Sequence, residues 1–110
     1  MEPLSTFAIL YKPGPKWLPN KPVWEQPLRE HGDYMKQLWS KGILKMGGPF
    51  EDSTGGLAVV QAKAAAEAQG IVNVDPAVTS GVFVATIHPW MTVDWPNYGK
   101  SSTSGPQDSR

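Results

Sequence analysis

The sequence has no cysteine, which excludes disulfides and thiolate metal sites. It has no surplus of either charge, since ten Lys plus Arg balance ten Asp plus Glu. Without a basic excess there is no electrostatic footprint for a phosphate backbone, and no nucleic-acid partner is expected. No apolar run approaches the ~20 residues needed to span a bilayer, so no membrane partner is expected either. The opening MEPLSTFAILYKP lacks the basic start and small-residue cleavage site of a secretory leader, which predicts a cytoplasmic chain. Walker-type and dinucleotide-type glycine loops are missing, as is a G-x-S-x-G elbow, so no organic cofactor is expected. The two histidines, His31 and His88, lack ligand-pair spacing, and no metal centre is expected.

What is present is turn punctuation and aromatic mass. Glycine and proline number 11 each and fall mainly between periodic segments. A chain of 110 residues has room for one domain with a modest core. Residues 4–11 read as a strand of β-branched and aromatic character. Residues 12–24, KPGPKWLPNKPVW, carry four prolines, a glycine and two tryptophans. They predict an ordered insertion loop, of the kind that can cover a site. Residues 25–42 predict a helix, with Pro27 in its first turn and Gly42 as its stop. Its apolar stripe holds Leu28, His31, Met35, Leu38, Trp39 and Gly42 at spacings of three and four.

Residues 43–50 and 57–62 predict two strands joined by the turn EDSTGG. Alanine favours a second helix over 63–73, and DPAVTSG reads as a short helical turn or capped loop. Residues 82–90 predict the last strand. The domain is expected over residues 1–95, with 96–110 a polar, disordered tail. The order β-α-β-β-α-β predicts an α+β, ferredoxin-like domain with a four-stranded antiparallel sheet.

The strands alternate apolar with apolar. Phe7, Ile9 and Tyr11 interleave with Ala8 and Leu10; Leu57 and Val59 interleave with Ala58 and Val60. Two helices cover one face of such a sheet, and the other requires a cover. A second copy packed sheet to sheet predicts a homodimer; a fold-back of the loop and tail is the alternative.

Two residues stand out chemically. His31 sits on the apolar stripe and is expected to face the sheet or a pocket beside it. It is either a buried histidine bonded to backbone or a proton carrier. Asp75, before Pro76, is either a helix N-cap or the carboxylate that fixes the His31 tautomer. Gly48 and Pro49 mark either a strand end or a backbone opening to a small-molecule ligand. Arg29 and Tyr34 lie close to His31 as further candidate substrate contacts. Of the five tryptophans, Trp17, Trp24, Trp39, Trp90 and Trp95, most are expected as core or interface anchors, with one or two able to line an aromatic pocket.

Four segments in order resemble the YCII-related domain family of the dimeric α/β-barrel superfamily, over about residues 5–95. They are REHGDYMKQLWSKG, MGGPF, VDPAVTSGVF and the strand ending in HPW. The extended loop before the first helix resembles one subgroup. The resemblance implies a ferredoxin-like fold that dimerises through its sheets, and an active site made of His31 and Asp75. One member of the family is a dehydrochlorinase acting on a chlorinated hydroxyquinol, which implies lyase- or isomerase-like chemistry without a cofactor. The family often has an arginine three residues before the histidine; here that position is Leu28, and Arg29 lies two before. A non-catalytic ligand-binding or interaction dimer is the rival reading.

Overall fold

A computed structural model describes residues 3–100. Strand β1 spans Ser5–Pro13, helix α1 Arg29–Ser40, β2 Leu44–Pro49, β3 Gly56–Ala62, α2 Ala65–Asn73, the short α3 Pro76–Thr79, and β4 Phe83–Pro89. The sheet runs β2-β3-β1-β4, and every neighbouring pair is antiparallel. This is the predicted ferredoxin-like arrangement, with each helix crossing from one strand to another that is not its neighbour. Among the described residues no helix is long and apolar enough to cross a membrane. The proposed tail falls partly outside this range: 101–110 are not described, and Trp95–Asn97 form a 3₁₀ turn.

The strand period of two sorts the side chains. Phe7, Ile9 and Tyr11 pair with Val60, Ala58 and Gly56 on one side and with Pro89, Ile87 and Ala85 on the other. This face packs against Leu38, Ala68, Val72 and Ala77 from the helices to form the core. The intervening residues Ala8, Leu10, Leu57, Val59 and Val84 lie on the opposite face, together with Thr86 and His88. The hairpin between β2 and β3 closes through Gly55, whose φ of +136° is a backbone state that L side chains rarely adopt. A Cβ there would lie 2.0 Å from the Tyr11 carbonyl oxygen.

Helix α1 starts four residues later than the sequence predicts. Proline disfavours helical backbone in the residue before it, and Gln26 is accordingly extended at φ −82°, ψ 155°. Residues 23–25 form a separate 3₁₀ turn, and α1 begins only after Leu28. The helix ends as predicted at Gly42, φ +78°. Ile43 N–H donates to the Leu38 carbonyl and Gly42 N–H to that of Trp39, the paired bonds of a Schellman stop. Trp39 was expected on the buried stripe but is 56% exposed. At 100° per residue it lies at the stripe's edge. Tyr34, at the opposite edge, turns inward and donates its hydroxyl to the Ile71 carbonyl at 2.7 Å.

The proline-rich loop is ordered, and one side chain organises it. Gln26 is buried, and its Oε1 accepts from Leu18 N–H at 2.7 Å. Its Nε2 donates to the carbonyls of Leu18 and Lys21 at 2.9 and 3.0 Å. The loop is also tied to the hairpin by Val23 N–H donating to Ser53 Oγ at 3.1 Å. Trp17 stacks on Phe83 with ring centroids 5.8 Å apart. Replacing Gln26 by Ala strands these backbone groups, and a cost of about 1–3 kcal/mol is expected in urea unfolding. Limited proteolysis between residues 14 and 24 should accelerate in parallel; unchanged cleavage and stability would mean that other contacts hold the loop.

Candidate active site

Asp75 is the N-cap of α3, and its Oδ1 accepts from Ala77 N–H at 2.9 Å. Pro76, with its φ preset and no N–H to satisfy, begins the helical turn. The cap places the carboxylate under α1, where His31 Nδ1 lies 2.8 Å from Oδ1 and 3.0 Å from Oδ2. Tyr11, from the buried face of β1, donates its hydroxyl to Oδ2 at 2.9 Å. The two readings of Asp75, cap and histidine partner, are therefore both realised by one side chain.

The carboxylate has no exposed surface. It receives donors from α3, β1 and α1, and no buried side-chain polar atom among the described residues lacks a partner. Tyr11 O–H and Ala77 N–H already donate to it, which fits its ionised form, a pure acceptor. Nδ1 of His31 therefore carries the proton in that bond, and Nε2 is the nitrogen left to act when the ring is neutral. The ring is held edge-on against Tyr11 and Phe83, with centroids 5.2 and 5.6 Å away.

His31 lines a cavity of about 470 Å³ between α1, the sheet and the loop. This lies within the range typical of small-molecule sites. Leu28, Met35, Leu44, Phe83, Tyr11 and Ala58 supply much of its wall, and Gly47, Gly48 and Pro49 of the edge strand β2 supply another side. A Cβ added at Gly48 would meet nothing within 4 Å, whereas one at Gly47 would lie 3.1 Å from the Leu57 carbonyl oxygen, so Gly48 is open and Gly47 packs closely on β3. Val23 and Trp24 of the loop complete the lining, with Trp24 itself 75% exposed at the rim. Among the described residues no Lys, Arg, Asp or Glu lines this cavity. His31 also borders a smaller recess of about 200 Å³ shared with Glu30, Ser80 and Pro76.

Of the residues singled out in the sequence, His31 and Asp75 meet, and Gly48 and Pro49 line the same cavity as His31. Arg29 and Tyr34 do not line it. Arg29 is exposed on the first turn of α1, rotated away from the stripe, and Tyr34 is engaged with α2. Sequence reasoning missed Tyr11 and Gln26, and it named Trp24 only as one of five tryptophans that could line a pocket. For Tyr11 a signal existed: a phenol on the buried face of a strand requires a partner for its hydroxyl. His88 lies on the other sheet face, its Nε2 3.0 Å from Thr86 Oγ1.

The model of the YCII-related domain matches residues 6–91. An uncharacterized protein of Bacillus subtilis (strain 168), YjpA, is 42% identical over 60 residues, which cover 54% of this chain and 71% of that one. Among solved structures, the 5-chloro-2-hydroxyhydroquinone dehydrochlorinase TftG of Burkholderia phenoliruptrix AC1100, in complex with 2,5-dihydroxybenzoquinone, superposes with a TM-score of 0.57. That match covers 78% of this chain and 93% of TftG at 20% identity.

Burial, and after it the neighbouring Asp75 carboxylate, pushes the Tyr11 phenol far above its ordinary value of 10.0. Burial and then Asp75 also raise Tyr34. The unfolded chain ionises Tyr11 near pH ~10, whereas the folded chain keeps it neutral. Its stabilising contribution is thus complete below about pH 10 and is lost as pH rises toward the folded-state value. Tyr11→Phe has no such ionisation. Between about pH 10 and 11.5 the native chain should lose stability more steeply than the variant, by up to about tenfold in unfolding constant per pH unit. Urea titrations of both chains across that range measure this, and parallel slopes would refute it.

Proposed function

This chain belongs to the YCII-related domain family, and from that membership and the His31–Asp75 pair we propose that it is a cofactor-independent enzyme moving a proton on a small cyclic molecule. The observation that carries the reading is the bond from His31 Nδ1 to a fully buried carboxylate, made at the wall of a cavity of ligand size. Asp75 holds the ring in one tautomer and stabilises the imidazolium, and Nε2 takes the substrate proton. In an elimination the C–H electron pair becomes the new π bond, the proton passes to Nε2, and the leaving group departs from the adjacent carbon with its electrons. In an isomerisation the same proton returns to a different atom.

The apolar lining, with no Lys, Arg, Asp or Glu among the described residues that form it, favours a planar, weakly polar substrate that stacks or slides between aromatic and aliphatic walls. The dehydrochlorinase of like fold acts on a chlorinated hydroxyhydroquinone. That compound is the first probe, with 2,5-dihydroxybenzoquinone as the binding probe. Arg29, exposed on α1, is not part of this proposal.

We also propose that the chain is a homodimer joined through the open sheet face. Val84 and Met46 are exposed there, beside Leu10 and Leu57. Water-facing apolar area on a sheet is the feature that a two-fold partner removes.

General acid–base assistance is worth about 10²–10⁴ in rate, so His31→Ala should lower turnover of an accepted substrate by that factor while the far-UV spectrum and melting stay cooperative. A folded His31→Ala chain with full activity would end the proposal. For the assembly, sedimentation should give twice the 12.0 kDa chain mass. Val84→Glu combined with Met46→Glu should return it to a monomer with the fold retained; a native chain that sediments as a monomer would exclude this interface.

A further inference from the structure

We infer that Tyr11 is a positioning residue of the site, a third member of the network that sets how tightly Asp75 grips the His31 ring. This rests on the proton-transfer reading only for its consequence in catalysis. The coupling itself is a property of the folded chain.

Asp75 Oδ2 is shared by two donors, the Tyr11 hydroxyl at 2.9 Å and His31 Nδ1 at 3.0 Å. Oδ1 is shared by Ala77 N–H and the same His31 nitrogen. The carboxylate therefore divides one negative charge among three donors, and each donor lowers what remains for the others. Ala77 contributes a backbone N–H that no substitution by another L-residue except proline removes. Tyr11 is the adjustable member.

Tyr11 gives a hydrogen bond without giving up a proton. Its phenol is buried and lies against a carboxylate, and both effects hold it neutral. It is a permanent donor across the working pH range. Its ring also fixes geometry, edge-on to His31 and tilted against Phe83 with centroids 5.2 Å apart in each case.

The surroundings of His31 leave few other ways to tune it. From α1 itself the nearby titratable groups are Glu30, across the smaller recess, and Tyr34. From the N-terminus of α3 comes Asp75, and from β1 comes Tyr11. β4 presents Phe83, and the loop presents Val23 and Trp24 along the shared cavity, none of which titrates. Among the described residues no lysine or arginine lines either cavity. Among the described residues Asp75 is the carboxylate bonded to the ring, and Tyr11 is the side chain that moderates it.

Removing the hydroxyl concentrates the Asp75 charge on His31. The imidazolium becomes more stable, so the base is protonated at higher pH. In Tyr11→Phe the NMR titration midpoint of the His31 ring should rise by about half to one pH unit relative to the native chain. The acid limb of the activity profile should move by the same amount. In an Asp75→Asn background the Tyr11→Phe change should leave the midpoint where it is, since the connecting charge is gone. A folded Tyr11→Phe chain with an unmoved midpoint overturns the inference, as does an equal shift in the Asp75→Asn background.

If Tyr11→Phe fails to fold, 3-fluorotyrosine incorporated into a chain carrying Tyr34→Phe and Tyr98→Phe supplies a stronger donor at position 11. It should move the midpoint downward, and no movement overturns the inference equally. Loss of the catalytic reading shows separately, as full activity in the His31→Ala chain while the His31 titration, read in chains that keep the histidine, still responds to position 11.

Discussion

A carboxylate with no contact with water is the constraint on which this small domain turns. Moving an ion of that size out of water costs several kcal/mol even after relaxation, so Asp75 is tolerable only with its oxygens satisfied. The satisfaction comes from a backbone N–H in α3, a hydroxyl on β1 and an imidazole on α1. Three elements distant in sequence are thus pinned to one point, with His31 and Asp75 separated by 44 positions. Apolar packing brings α1 onto the sheet without direction, whereas these bonds fix its rotation and height. The group that positions the imidazole is therefore also part of what positions the helix. Structure and chemistry share one side chain, and a clean separation of the two requires isosteric substitutions.

The topology was legible because it depends on period. Residues 4–11, 57–62 and 82–90 alternate, residues 29–40 recur at three and four, and these patterns survive in the structure as β1, β3, β4 and α1. The helix start was misread because Pro27 suits a first turn as well as it suits a loop end. What decided between them was the extended Gln26 and its three bonds within the loop, a contact pattern that no local rule encodes. Trp39 was misplaced because a stripe defined by hydrophobicity has no sharp edge, and this residue, at the edge of the arc, is 56% exposed.

The site was legible in its members but not in its assembly. Asp75 before Pro76 has a sufficient local cause in the cap, and His31 on an apolar stripe has one in the core. Nothing in their spacing joins them; family resemblance did. Tyr11 stayed hidden because, in alternation with Phe7 and Ile9, it reads as one more apolar side chain. Arg29 illustrates the opposite error. Nearness in sequence to His31 suggested a shared site, but a step of two along a helix is a rotation of about 200°, which sends the guanidinium to the far side.

The cavity depends on the loop as much as on the dyad. Here the pocket exists because glycines strip the side chains from edge strand β2 and because Val23 and Trp24 roof the gap. Gln26 and Ser53 hold that roof from opposite ends. The wall so made is apolar, so the field at the His31 ring is set by the few polar groups that touch it rather than by water. In such surroundings one hydroxyl matters more than it would at a surface. Strand alternation then keeps the two proposed activities of the sheet apart: Tyr11 turns toward the imidazole, while Leu10 and Lys12 turn toward the face offered to a second copy. A one-residue slip of β1 would exchange them, carrying Leu10 into the carboxylate network and leaving Asp75 buried with one donor fewer. The register of β1 is for that reason held by chemistry at the site as well as by packing in the core.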